Sequence, residues 1–411
     1  MRFKKNTVNI LVLNCGSSSL KYKIIKMPGG TELVRGEAER VGIKTQGVSR
    51  ITHFSCGKKT VVEVPLANHA AALKKSLELI ARDSAENSDI CFDVFAHRYV
   101  HPGTLFSKTM KVDKVVLRKL KDTLPLAPIH NPIIYRLIEF CYDEYYNIRQ
   151  FIVFDTSFHR SIPPEFSTYA LPLKIIKKYH IRRIGFHGLS HQYVMEEACK
   201  FLGKDKSSQR IISCHLGTGG SSVCAINNGK SVNNSMGYTP LEGLMMNTRC
   251  GNIDPGIIFY IMFKERFSPE ETESVFNNKS GILGVLNFSS DLRDAIRDMR
   301  NNPRARMVFD MYIRRVRSYV GFYSLILKKA DMLIFTDSLG VSCPDLRQGV
   351  CRGMELLGIR LDEGKNAGCR GNIGDISSVR SETKVLVIPT DEEIMIARQA
   401  YRELMKNDTG C

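Results

Sequence analysis

The sequence predicts an α/β protein made of two related domains. Apolar residues switch along the chain between the two-residue period of strands and the three-to-four-residue spacing of helices. At 411 residues the chain exceeds what one compact core usually serves. A strand, Gly/Ser turn, strand unit also occurs once in each half. Ile10-Leu-Val-Leu-Asn14 runs through Cys-Gly16-Ser17-Ser18-Ser19 into Leu20-Lys21-Tyr-Lys-Ile24, and Ile211-Ile-Ser-Cys-His215 runs through Leu-Gly217-Thr218-Gly219-Gly220-Ser221-Ser222 into Val223-Cys-Ala-Ile226.

In chain order, the pattern places strands at 7–13, 20–26 and 60–64, a helix at 67–82, and a strand at 92–96. A helix at 131–146, a strand at 151–154 and a helix at 189–202 follow. Strands at 210–215 and 221–226 then precede helices at 254–264 and 302–329. The chain closes with a strand at 331–335, a helix at 343–357, a strand at 384–388 and a helix at 391–406. Gly364 to Ser381 is polar, carries four glycines and reads as an exposed loop.

Composition narrows the class. With 43% hydrophobic and 25% charged residues the chain is globular, neither disordered nor fibrous. No apolar run approaches the ~20 residues of a membrane helix. Behind the basic start, the apolar stretch Ile10 to Leu13 is shorter than the ~7–15 residues of a signal core, so a cytoplasmic protein is expected. The 12 cysteines are scattered and never form CxxC, which argues for reduced, mostly buried thiols rather than zinc or redox motifs. A net charge of +17 implies an anionic partner. Its clusters, Lys174, Lys177, Lys178, Arg182 and Arg183, then Arg314, Arg315 and Arg317, read as solvated helix faces, and no nucleic-acid motif accompanies them.

A Gly/Ser turn brings backbone N–H groups and hydroxyls close to an anion because no Cβ bulk intervenes. Neither turn is a P-loop or a dinucleotide fingerprint. Two such turns, one per half, point to a duplicated domain holding a phosphorylated ligand.

Specific chemistry comes from a series of ordered blocks: Asn14-Cys-Gly-Ser-Ser-Ser-Leu-Lys21, Ala96-His-Arg98-Tyr-Val100-His-Pro-Gly103, Ala127-Pro-Ile-His130-Asn-Pro132 and Val153-Phe-Asp155-Thr-Ser-Phe-His159. Gly185-Phe186-His187-Gly-Leu-Ser-His191, His215-Leu-Gly-Thr-Gly219 and the run from Met236 through Pro240 and Arg249 to Asp254 complete it. The series resembles the acetate kinase family over essentially the whole chain. That resemblance implies duplicated ribonuclease H-like or actin-like ATPase domains around a central cleft. It places residues 1–156 with 390–411 on the acetate and metal side, carrying the first phosphate turn. Residues 157–389 form the donor side, with the second turn and the contact of a homodimer.

The resemblance also implies reversible phosphoryl transfer between acetate and acetyl phosphate with Mg2+ or Mn2+. Arg98 and Arg249 match the active-site arginines, whose planar forks suit carboxylate and phosphate oxygens. His187 matches the residue that stabilises the transferring group, and Asp155 a required aspartate that orients Arg98 or substrate. Acetate is already ionised near neutral pH, so no general base is needed. Asn14 and Glu392 match the metal-associated positions, Glu392 having an ordinary reading as a capping-box residue. Val100, Ile129, His130, Phe186 and Pro240 match the substrate pocket, with Ile129 where the family more often has Leu. Ser17, Ser19, Lys21, His215, Gly217, Thr218, Gly219, Asp291, Arg293, Asp337 and Ser338 match phosphate- and nucleotide-binding positions.

One block departs. The family's adenosine loop reads Phe-Thr-Gly-Gly-Ile-Gly-Glu-Asn, whereas here Phe335-Thr336-Asp337-Ser338-Leu339-Gly340-Val341-Ser342 replaces two glycines, and Thr218 stands for the usual Asn. Side chains there take up space that adenosine needs. The pattern resembles the diphosphate-type acetate kinase of amoebae, so phosphate/pyrophosphate is the expected partner pair. The alternatives are an ordinary ADP/ATP enzyme, a propionate or butyrate kinase, and a non-catalytic anion-binding protein. No nucleic acid or membrane partner is expected.

Overall fold

The computed structural model describes residues 7–43, 48–127 and 130–409. It divides into two compact units, residues 1–157 with 391–411, and residues 158–390.

The first unit is built on eight strands: β1 (Val8–Cys15), β2 (Ser19–Met27), β3 (Thr31–Glu39), β4 (Arg50–Ser55), β5 (Lys58–Glu63), β6 (Val94–Tyr99), β7 (Met110–Lys111) and β8 (Arg149–Phe154). Their order is β5-β4-β3-β2-β1-β6-β8-β7. The first five form an antiparallel meander, and β6 and β8 run parallel to β1. β1, central and almost continuously apolar, is buried on both faces, as parallel-type strands require. The helix Glu392–Thr409 packs on β1, β2, β6 and β8, and the helix His69–Glu86 on β2, β3 and β4. β3 and β4 escape the sequence pattern because buried residues alternate with charged or partly exposed ones and no continuous apolar run forms. β3, for example, buries only Val34 and Ala38 among charged neighbours.

The second unit repeats the central motif. Its strands are β9 (Arg210–Leu216), β10 (Ser221–Asn227), β11 (Lys230–Asn234), β12 (Met332–Thr336), β13 (Gly374–Asp375) and β14 (Lys384–Val387), in the order β11-β10-β9-β12-β14-β13. The hairpin β9–β10 has parallel β12 beside its first strand, as β1–β2 has β6. Period-two burial is strict here. Ile212, Cys214, Leu333 and Phe335 face the helices Pro303–Ile326 and Pro344–Cys351, while Ile211, Met332 and Ile334 face the helix Gly188–Leu202. Both units thus have the duplicated α/β architecture of actin-like ATPase domains.

Several boundaries differ from the sequence pattern. The strand expected at 92–96 is Val94–Tyr99, which carries Arg98 into the sheet. The helix expected at 343–357 stops at Cys351, because Gly353 takes a φ of +70°. The helix at 302–329 ends at Ile326, before left-handed Lys328 and Lys329. The stretch 364–381 is not simply a loop. Asp362 caps a short helix, Glu363–Gly368, and Gly374–Asp375 pairs with β14.

The buried Arg347 explains that order. All five guanidinium hydrogens are used, on Asn366 Oδ1 and the carbonyls of Gly340, Val341, Asn366 and Cys369. Of the described cysteines all are free thiols, most of them buried, with Cys56 and Cys91 exposed. Among the described residues no helix is long and apolar enough to cross a membrane.

Candidate active site

In the first unit, the parallel strands β1, β6 and β8 end side by side. Ligands of α/β sheets bind at such carboxyl ends. The chain places Asn14 at the end of β1, Arg98 near the end of β6 and Asp155 directly after β8. Arg98 Nη2 donates to Asp155 Oδ2 at 3.2 Å and Nη1 to Asn14 Oδ1 at 3.3 Å. Its Nε is buried without a hydrogen bond and points toward Glu392 Oε2 at 3.7 Å. Burial alone would lower the pKa of Arg98, but the charges of Asp155 and Glu392 outweigh it and raise it.

Glu392 is not the capping residue at the start of its helix. Asp391 Oδ1 accepts the Ile394 N–H, which leaves Glu392 to face Arg98. Sequence reading missed Glu393 and Lys23. Glu393 Oε1 accepts from Asn14 Nδ2 at 2.8 Å, and Lys23 Nζ holds Asp391 at 2.8 Å and Glu393 at 3.7 Å. The signal for Glu393 was only its adjacency to Glu392.

The donor set suits a hard cation. Asn14 Oδ1 and the Glu392 carboxylate are both oxygen donors gathered around one guanidinium. No cluster of three or more His, Cys, Asp or Glu fit for a metal occurs among the described residues. A hard cation that keeps several waters needs only few such protein oxygens.

At the first turn, Gly16 N–H donates to the Ser19 carbonyl at 2.9 Å, and a Cβ on Gly16 would lie 2.8 Å from Ser19 Oγ. Ser17 is exposed, and Lys21 is an exposed side chain beside Glu37 at 4.0 Å. Val100 is buried and His130 precedes the helix Asn131–Glu144. Ile129 lies outside the described residues.

In the second unit, the β9–β10 turn is closed by Gly217 N–H to the Gly220 carbonyl at 3.1 Å. Gly219 is open, with nothing within 4 Å of a Cβ built there. A Cβ at Gly220 would lie 3.3 Å from His187 Nε2 and 3.6 Å from Arg249 Nη1, so these two groups converge on bare backbone. Arg249 has no carboxylate partner among the described residues, and its Nη1 lies 3.7 Å from Met246 Sδ. Burial lowers its pKa with nothing opposing. A guanidinium buried without a counter-ion, beside an imidazole and a glycine turn, has the chemistry to pair with an anion.

His187 stands in the left-handed region at φ +56°, just ahead of the helix Gly188–Leu202. That backbone conformation is unusual for a residue with a side chain. Its ring stacks on His215 with centroids 4.0 Å apart. His187 Nδ1 and His191 Nε2 share Ser222 Oγ at 2.9 and 2.8 Å, and His215 Nδ1 meets Ser190 Oγ at 2.8 Å. One hydroxyl proton cannot serve both rings, so at least one of the two imidazoles donates to Ser222. Burial drives the His191 pKa well down, which keeps that ring neutral. Phe186 is buried beside His187, and Pro240 is half-buried.

The two substituted positions lie on this turn. Asp337, itself left-handed at φ +63°, places Oδ2 at 3.2 Å from His215 Nε2, and a Cβ on Gly217 would come within 1.9 Å of it. Ser338 Oγ accepts the Thr218 N–H at 3.1 Å. The carboxylate and hydroxyl therefore cap the glycine turn itself, a placement that sequence alone had assigned to adenosine space. Asp291 caps the helix Leu292–Asp298 and clasps Arg293 through its guanidinium, so this pair satisfies itself. In the basic cluster at 174–183, Arg183 is no solvated side chain, since it binds Glu242 and the carbonyls of Asn234 and Met236.

Comparison with known proteins identifies the family. Residues 9–398 match the model of the acetokinase family. An acetate kinase of Dictyoglomus thermophilum is 42% identical over 402 residues, covering 97% of this chain and 100% of that one. Acetate kinase of Porphyromonas gingivalis superposes with a TM-score of 0.88 at 39% identity, covering 97% and 100% of the two chains. A propionate kinase of Francisella tularensis gives 0.87 at 33% identity, covering 95% and 98%.

Proposed function

Because the chain belongs to the acetokinase family, and is thus a phosphotransferase acting on a carboxyl group, we propose that it exchanges a phosphoryl group between acetate and acetyl phosphate, with phosphate and pyrophosphate as the partner pair. In this reading Arg98, oriented by Asp155, takes the carboxylate. The family resemblance assigns recognition of acetate to Val100, Ile129, His130, Phe186 and Pro240. Asn14 and Glu392 hold a divalent cation, Mg2+ or Mn2+, which when bound neutralises charge on the phosphate oxygens. Arg249 and His187 stabilise the equatorial oxygens of the group in transit, where fixed donors need no reorganisation. The acetate oxygen attacks phosphorus as an ionised carboxylate, so none of these residues must first remove a proton.

The observation that carries the partner choice is the cap on the β9–β10 turn. Asp337 sets a negative charge against Gly217, and Ser338 uses the Thr218 N–H. A nucleotide running its phosphates along that turn meets a like charge and a donor already engaged. A compact inorganic phosphate needs only the neighbourhood of Arg249 and His187. Hydroxamate detection of acetyl phosphate, with ATP and pyrophosphate supplied separately, gives the first answer. The wild type is expected to use phosphate with a higher kcat/KM than ADP, and Asp337→Gly/Ser338→Gly to improve ADP use. Efficient ADP use by the wild type, unchanged in the double variant, would instead mean an ordinary ATP-forming enzyme. The same assay with propionate measures acyl preference, where one methylene is worth only about 1–3 kcal/mol.

The homodimer that the reading includes is supported by the helix Pro255–Glu265, none of whose residues is buried. Phe259 is 71% exposed and Phe263 81%, beside Tyr260 and Ile257. Such a contiguous apolar face is what a second copy covers in solution. Phe259→Asp/Phe263→Asp is expected to yield a monomer by size-exclusion chromatography with light scattering. A dimer of unchanged stability in that variant would move the interface elsewhere.

A further inference from the structure

The arginines Arg314 and Arg317, together with Arg352, remain unexplained by the reaction. They line a groove of about 900 Å³ in the second unit, between the helices Pro303–Ile326 and Pro344–Cys351. The groove lies within the size range of small-molecule sites, ~300–1,000 Å³. Arg314 and Arg317 stand three residues apart on one helix, a spacing that puts side chains about 5–6 Å apart on the same face. Arg352 comes from the opposite wall. None of the three has a carboxylate partner among the described residues, and the one carboxylate lining the groove, Asp310, is paired with Arg306 at 3.0 Å.

Two glycines shape the site. A Cβ at Gly349 would meet Ile313 at 3.1 Å, so its absence lets the helices touch along the floor. Gly353 turns the chain at φ +70°, and a Cβ there would lie 3.5 Å from Arg317 Nη2. Unpaired guanidinium forks on two walls of one concave site match the several oxygens of neighbouring phosphates. A long nucleic acid would need a continuous basic track, whereas the adjoining pocket, which shares Arg352, is lined by Asp345, Glu355 and Glu363.

Both walls also anchor the reaction loops. On the first helix, Tyr312 hydroxyl meets Ser221 Oγ at 2.9 Å, and Arg315 Nη1 donates to the carbonyls of Cys250 and Asn252, next to Arg249. On the second, Arg347 holds the Gly340 and Val341 carbonyls of the Asp337 loop. We infer that this groove binds a compact polyphosphate anion and that its occupancy, by fixing the two helices together, changes how the β9–β10 turn and the Asp337 loop receive the phosphoryl partner. The inference does not depend on which partner that is.

The test uses the full-length protein, inorganic tripolyphosphate as probe, and acetyl phosphate at saturation to block the reaction site. Calorimetry should show tripolyphosphate binding that weakens about tenfold or more in Arg314→Gln/Arg317→Gln/Arg352→Gln, since a single charge-assisted contact is worth that much. The corresponding Lys triple should retain part of the affinity. Arg249→Ala should bind the probe like the wild type. Without the probe, the Gln triple should melt and turn over like the wild type, and only in the wild type should the probe shift KM for the phosphoryl partner. Equal binding by the Gln triple, or equal weakening by Lys174→Gln/Lys177→Gln/Lys178→Gln, overturns the site. Binding with no change in KM overturns the coupling. Binding of a short RNA, lost in the Gln triple while tripolyphosphate fails to bind, would make the groove a nucleic-acid contact and overturn the small-anion assignment.

Discussion

Replacing Arg249 by alanine is expected to lower kcat about 10²–10³-fold, the usual cost of removing one preorganised charge stabiliser. The protein should remain folded, because Arg249 offsets no carboxylate and its burial is a cost in the free enzyme. Melting temperature should therefore stay the same or rise slightly while turnover collapses. Arg249→Lys should recover little, since a point charge does not copy the fork that faces Gly220 and His187. Arg98 behaves differently. Arg98→Ala should lose comparable activity, but it also strips the cation from Asp155, which is 1% exposed, and from Glu392. Removing one partner of a buried ion pair costs roughly 3–5 kcal/mol, so this variant should lose stability as well. The contrast between the two arginines is measured by steady-state kinetics beside thermal unfolding. Near-normal turnover in folded Arg249→Ala would remove it from the reaction.

Arg347→Met should be the most destabilising single change in the second unit. Its side chain is fully buried, and methionine would leave four carbonyls and Asn366 Oδ1 without their donor. The loss of several buried charge-assisted bonds points to about 3–5 kcal/mol. At ~2–4 °C per kcal/mol for a domain of this size, the melting temperature should fall by about 10 °C. Because two of the carbonyls belong to Gly340 and Val341, the Asp337 loop should loosen as well, and KM for the phosphoryl partner should rise. A melting curve within a degree of wild type would show that the network is not holding that loop.

The motifs around Asn14, Arg98, Asp155, His187 and Arg249 were legible because each is a short, fixed string whose residue types suit phosphoryl chemistry. Core strands were legible for a related reason. β1, β9 and β12 are buried on both faces and read as continuous apolar runs. Strands β3, β4 and β11 were not, since polar or charged residues interrupt each of them and none offers a continuous apolar run.

Sequence by itself therefore determined the duplicated α/β class, the family and the residue types at the candidate site. Tertiary structure alone decided what each group does to its neighbours. It gave Arg98 two carboxylates and Arg249 none among the described residues. It turned Asp337 and Ser338 onto the β9–β10 turn, and it brought Glu393 to Asn14 across 379 residues of chain. The physical reason is that period and propensity act through near neighbours, whereas charge pairing and hydrogen bonding act through space. Those distances are set only when strands distant in sequence lie side by side.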